Sequence, residues 1–96
     1  MSETKEAYVT RQKGNIETWK VEIEKFQEKA NRAIGKKVDK YKKHIEELTA
    51  LRGGLADIVA TIEKSAETDW EGLKAGSEKV FKSLDKSYKS AKAFFN

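Results

Sequence analysis

The stretch from residue 30 to residue 43, ANRAIGKKVDKYKK, decides the fold, because it holds the first place where a helical chain could turn back on itself. A glycine inside a helix costs about 1 kcal/mol relative to alanine. Yet Ala30, Ile34 and Val38 step through Gly35 at intervals of four, so the apolar stripe stays in phase across it. Upstream, Val9, Ile16, Trp19, Ile23, Phe26, Ala30 and Ala33, with Gln12 in one polar slot, alternate steps of four and three, which is a heptad seam. Downstream, Tyr41, Ile45, Leu48, Leu51, Leu55, Ile58 and Ile62 carry the stripe past Gly53-Gly54. The repeated fours at 30, 34 and 38 act as a stutter, and the threes at 45, 48 and 51 shift the face back.

The final third reads differently. Leu73, Ser77, Val80, Leu84, Tyr88, Ala91 and Phe95 follow steps of four, three, four, four, three and four, an eleven-residue period in which WEGLKAGSEKV aligns with FKSLDKSYKSA. That period gives about 3.67 residues per turn and a nearly straight stripe. Before it, Thr68 and Glu71 have the spacing of a capping box, with Asp69 near the positive helix end, so a new helix is expected there. The chain contains no proline, so every break must come from glycine or a cap.

The expected fold class is all-α, with residues 1–96 as one helical domain. Continuity of the stripe predicts a long amphipathic helix over residues 4–66, roughly 90 Å at 1.5 Å per residue. A shorter antiparallel helix over 69–95 completes a helical hairpin. Gly35 and Gly53-Gly54 are then weak points or places of close approach. The alternative is a turn near Gly35, giving a three-helix up-down-up bundle. The hairpin leaves the seam from Val9 to Ala33 uncovered, whereas the bundle closes on itself.

Composition agrees with helix: hydrophobic and charged residues each make up 38%, a balance typical of coiled coils and long solvated helices. A chain of 96 residues buries only about 60% of its unfolded surface, so the core is small. Cysteine is absent, which excludes disulfide staples and cysteine-bound zinc. The opening MSETKEAYVTRQ lacks the apolar core of a signal peptide, and no apolar run approaches the roughly 20 residues of a spanning helix. A cytoplasmic location, at most peripheral to a membrane, is the expectation. The formal charge is +4, and KKVDKYKK at 36–43 alone supplies it with five lysines and one aspartate.

The segments KEAYVTRQKGNIETWKVEIEKFQEKA, KYKKHIEELTALR and DWEGLKAGSEKVFKSL resemble small uncharacterised bacterial coiled-coil domain-containing proteins of about this length. The similarity covers nearly the whole chain, and W-x-x-L-K-x-G is its most specific motif. It implies a long helix followed by a shorter amphipathic one and carries no activity. The chain departs from that pattern at Gly14, Gly35 and Gly53-Gly54, and Phe81 stands where a second tryptophan is common. The C-terminal eleven-residue repeats, edged by Lys74, Lys79, Lys86 and Lys92, resemble the lipid-binding helices of apolipoprotein-like proteins.

Chemistry-bearing residues are sparse. His44 is the sole histidine and has no nucleophile or orienting partner in sequence, so a solvated helix histidine is favoured over a catalytic base. With Glu47 it makes a weak metal site at best. Glu46 and Glu47 point about 100° apart and do not converge as an acid–base pair. Glu22–Lys25, Glu28–Arg32, Asp39–Lys43, Glu78–Lys82 and Asp85–Lys89 are opposite charges at helical spacing, each adding about 0.2–0.5 kcal/mol. No phosphate-binding or dinucleotide motif is present.

A non-enzymatic structural or interaction protein without cofactor or metal is therefore expected. Val9, Ile16, Trp19, Ile23, Phe26 and Ala30 form the expected interface for self-association or a protein partner. Trp70, Leu73, Val80, Phe81, Leu84, Tyr88 and Phe95 form a face that either packs as core or binds a lipid surface. Lys36, Lys37, Lys40 and Lys43 are candidate anion contacts, although few arginines and no base-reading module argue against nucleic acid. Docking as a small helical accessory subunit on a larger enzyme is a third use of the same stripes.

Overall fold

The computed structural model describes residues 3–95, and side chains as far as residue 94. Three helices account for nearly all of them: α1 (Lys5–Arg32), α2 (Lys37–Lys64) and α3 (Trp70–Phe95). α1 starts where the Thr4 hydroxyl accepts the backbone N–H of Ala7 at 3.1 Å, satisfying one of the free donors of its first turn. Its last turn carries Lys29 and Arg32, which suit the negative end of the helix dipole.

The single helix expected over 4–66 is thus two helices. The chain leaves α1 at Ala33, in extended conformation, and turns at Gly35, whose φ of 80° lies in the left-handed region that side chains disfavour. The Ala33 N–H bonds the Ala30 carbonyl, and the Val38 N–H bonds that of Gly35. Magnitudes explain the outcome. Breaking the helix forfeits a few hydrogen bonds of about 1 kcal/mol each and leaves Ile34 88% exposed. Turning buries Val9, Ile16, Trp19, Ile23 and Phe26, each worth roughly 1.5–3 kcal/mol. Gly53 and Gly54, by contrast, stay helical inside α2, and no atom lies within 4 Å of where a Cβ would sit on either, so neither is a turn or a close approach.

Hydrogen bonds give the topology. Lys5 reaches the Ser65 carbonyl at 2.8 Å and Arg52 the Ile16 carbonyl at 2.9 Å, so α1 and α2 run antiparallel. The Ser87 hydroxyl bonds Glu47, and Tyr41 meets Phe94, so α2 and α3 are antiparallel too. The result is an up-down-up bundle 52 Å long and 22 by 17 Å across. α2 lies close against both neighbours, while α1 and α3 meet mainly through large rings: Tyr8–Trp70, Trp19–Tyr88 and Phe26–Tyr88, with centroids 5.1–5.7 Å apart.

One burial period runs through all three helices. Val9, Ile16 and Ile23 with Gln12, Trp19 and Phe26 face inward on α1; Leu48, Leu55 and Ile62 on α2; Trp70, Ser77, Leu84 and Ala91 on α3. Each series steps by seven. On α3 the described members of the eleven-residue stripe, Leu73, Ser77, Val80, Leu84, Tyr88 and Ala91, all face the core, buried or half-buried, and Trp70 joins Ser77, Leu84 and Ala91 at steps of seven. Val59 is buried more deeply than the half-buried Ile58 that the sequence stripe selects, because α2 must cover helices on two sides.

Two buried polar residues sit in this core and complete each other. The Tyr8 hydroxyl donates to Ser77 Oγ at 2.9 Å and accepts from Gln12 Nε2 at 3.1 Å, while Gln12 Oε1 accepts from Asn15 at 3.2 Å. No buried side-chain polar atom among the described residues lacks a partner.

Two predictions follow from the turn and from this relay. Gly35→Ala should lower stability by about 1 kcal/mol, whereas Gly53→Ala should raise it by a similar amount, as read in urea melts. Tyr8→Phe and Ser77→Ala should each cost about 1–3 kcal/mol by stranding a buried partner. The double variant should cost clearly less than their sum; full additivity would show that the pair does not act as a unit.

Candidate interaction surface

The turn at 33–36 has an electrostatic consequence. It places the C-terminus of α1, the N-terminus of α2 and, because α3 runs parallel to α1, the C-terminus of α3 at one end of the bundle. Residues 28–44 carry seven basic and two acidic side chains, and residues 86–95 three basic and no acidic ones, a formal +8 at that end. Residues 1–27 balance at five of each sign, and 45–85 hold five basic against nine acidic, or −4. Glu3, Glu6, Glu67 and Glu71 border a shallow pocket beside Trp70 at the far end. The bundle is an elongated charge dipole.

At the basic end Lys36, Lys37, Lys40, Lys42 and Lys43 are all exposed, as are Lys86, Lys89 and Lys92. Lys40 Nζ sits 5.7 Å from the centre of the Phe94 ring, which also packs edge-on against Tyr41 at 5.2 Å, and this cluster pins α3 to the start of α2. Arg32 pairs with Glu28 and Lys89 with Asp85, both at 3.1 Å, and Lys25 with Glu22 at 3.4 Å, three of the ion pairs expected from helical spacing. Among the described residues Asp39–Lys43 and Glu78–Lys82 do not come within ion-pair distance, and Lys36, Lys37, Lys42 and Lys43 make no ion pair. Four ammonium groups are therefore left facing solvent on a few turns of chain.

The candidate anion contacts Lys36, Lys37, Lys40 and Lys43 thus belong to a larger patch than the sequence cluster indicates. Lys29 and Arg32 adjoin the cluster in sequence, whereas Lys86, Lys89 and Lys92 join it only through topology, and no spacing rule links residue 36 with residue 92. The other two expected surfaces are placed differently. Val9, Ile16, Trp19, Ile23 and Phe26, expected to lie uncovered, are buried within the chain's own core; Ala30 is half-buried in a groove of about 500 Å³ with Ala33, Val38 and Ile45. On α3, Trp70 and Leu84 are buried, and Leu73, Val80, Phe81 and Tyr88 are half-buried against the same cluster, so that face serves as core; the Phe95 side chain lies outside the described residues.

Two further grooves contain polar groups. His44, Glu47, Ser83, Lys86, Ser87 and Ser90 line an open cleft of about 520 Å³ between α2 and α3. Its Ser87 hydroxyl donates to the exposed Glu47 carboxylate. Between α1 and α3, Trp19, Phe81 and Tyr88 line a smaller groove of about 280 Å³ with Asn15, Thr18 and Glu22. Here the Tyr88 hydroxyl donates to Glu22 at 3.0 Å. Burial first, and then this bond to a carboxylate, push the Tyr88 hydroxyl above its ordinary pKa. Among the described residues no three His, Asp or Glu side chains gather to hold a metal ion, and no helix is long and apolar enough to cross a membrane.

No family model, no curated protein and no solved structure matches this chain. The fold is that of a small helical bundle, and its functional reading rests on its own residues.

The raised Tyr88 value makes a pH prediction. Because the folded protein holds this proton more tightly than the unfolded chain, the associated stability is complete below about pH 10 and is lost as pH rises through the folded value. Melting temperature should therefore decline in that alkaline range, and Tyr88→Phe should make the decline shallower. An unchanged slope would show that the bond to Glu22 does not couple to folding.

Proposed function

We propose that this chain is a non-enzymatic helical interaction module that docks on a polyanionic partner surface through the basic end of its bundle. The observation that carries the reading is the convergence of residues 28–44 and 86–95, formally +8, on one end of a protein whose net charge is +4. Opposed helix ends do not require such a concentration of like charge. It costs self-repulsion that a purely structural bundle would avoid by interspersing its charges. Five lysines on 36–43 that find a single aspartate between them fit an arrangement completed by an external anion.

The apolar stripes favour no competing surface. Self-association through Val9, Ile16, Trp19, Ile23 and Phe26 would need the bundle to open, since these side chains already bury one another. Lipid binding through the α3 face would need the same of Trp70 and Leu84. Docking by the basic end needs no rearrangement.

Retention on immobilised heparin across a salt gradient tests this. The protein should elute well above physiological ionic strength, and replacing Lys36, Lys37 and Lys40 by glutamine should move elution to distinctly lower salt with the melting temperature held. Replacing Lys13, Lys20 and Lys64, away from that end, should leave elution nearly unchanged. Equal shifts from both triple variants would refute the assignment of the surface.

A further inference from the structure

The basic end is not uniformly polar. At its apex stands Ile34, an isoleucine 88% exposed on the turn 33–36, ringed by Arg32, Lys36 and Lys37. The only other large hydrophobic side chain standing well exposed among the described residues is Val21, 50% exposed on the flank of α1. Ile34 is held where it is: the turn is closed by backbone bonds from Ala33 to Ala30 and from Val38 to Gly35, and the positive φ of Gly35 sets its direction. Nearby, Ala30, Ala33, Val38 and Ile45 line a groove together with Gln27, Asn31, Lys42 and Glu46.

Building on the basic-end reading, we infer that this apex docks end-on against an anionic lipid surface, with Ile34 entering the headgroup layer and the surrounding lysines meeting lipid phosphates. Charge suits any polyanion, and the exposed isoleucine selects this occupant over a nucleic acid. A phosphate backbone offers nothing to an apolar side chain set among lysines. A bilayer interface accepts an apolar tip at the depth where long basic side chains reach the headgroups. Basic residues near an anionic leaflet contribute additively, and Lys36 and Lys37 adjoin Ile34 at the turn. The charge dipole also sets posture. The far end, with Glu3, Glu6, Glu67 and Glu71, is repelled by the same surface, so the 52 Å axis stands away from the membrane rather than lying along it. α3 then keeps its apolar face in the core.

The absence of cysteine allows single labelling. An environment-sensitive fluorophore would be placed on Ile34→Cys, on Val21→Cys at the flank and on Glu67→Cys at the acidic end. Each protein would be mixed with phosphatidylglycerol–phosphatidylcholine vesicles and with pure phosphatidylcholine vesicles. The expected result is a blue shift at position 34 alone, and only with the anionic vesicles. Unlabelled Ile34→Ser should bind about tenfold more weakly in flotation, and the Lys36, Lys37 and Lys40 triple glutamine variant on the order of a hundredfold more weakly. Shifts at both 21 and 34 would mean that the bundle lies flat, overturning the end-on posture. Vesicle binding unchanged by Ile34→Ser would overturn insertion. Heparin or duplex DNA binding with no vesicle binding would overturn the lipid assignment while leaving the basic-end reading standing. Failure on all three supports would remove both.

Discussion

α1 and α3 are joined towards the acidic end of the bundle by a buried hydroxyl with polar partners on both sides. Tyr8 lies between Gln12 and Ser77, and all three are buried. Each group alone would be a desolvated liability; together they allow one alignment of the two helices, because a shift by one turn would strand several donors and acceptors at once. This matters because α1 and α3 otherwise meet mainly through rings, which tolerate sliding better than hydrogen bonds do. The aromatic contacts of Trp19, Phe26 and Tyr88, the groove beside them and the placing of Phe94 against α2 all assume that alignment.

Much of this was legible in the sequence, and the failures have identifiable causes. Gln12 was visible as the polar slot of the heptad seam, and Ser77 as the polar member of the C-terminal stripe, but nothing local shows that the two slots answer each other across 65 positions through Tyr8. All-helical structure and the start of α3 near Thr68 could be read from periodicity and capping residues. The long helix could not be rejected on those grounds, because a stripe that stays in phase through Gly35 looks the same whether the chain continues or turns. Long-range burial decided it, and burial is a tertiary quantity. The eleven-residue period on α3 came from aligning Trp70 with Phe81 and Leu73 with Leu84; packing adds Trp70 to Ser77, Leu84 and Ala91, and these four step by seven, a spacing that the sequence stripe contained without singling out.

The surface followed the same pattern. Lys36 to Lys43 stood out as a run, yet the contributions of Lys86, Lys89 and Lys92 depend on α3 returning to the end where α1 finishes. Charge segregation in a bundle is a property of helix order as much as of composition. An odd number of helices brings the last helix back to the end where the first one stops. Two helix C-termini then share an end with one N-terminus, and that excess of negative dipole suits the lysines gathered there.

The turn at Gly35 would also govern any exchange of α1 between two copies of the chain. Since Ala30, Ile34 and Val38 remain on one stripe, a straightened 33–36 segment would keep α1 and α2 helical while carrying α1 away from its own partners and onto those of a second copy. The four-residue connection opposes this by holding α1 at an effective concentration of about millimolar or above against its own α2. Loop stiffness, more than the strength of any core contact, therefore sets the concentration at which two chains would trade helices.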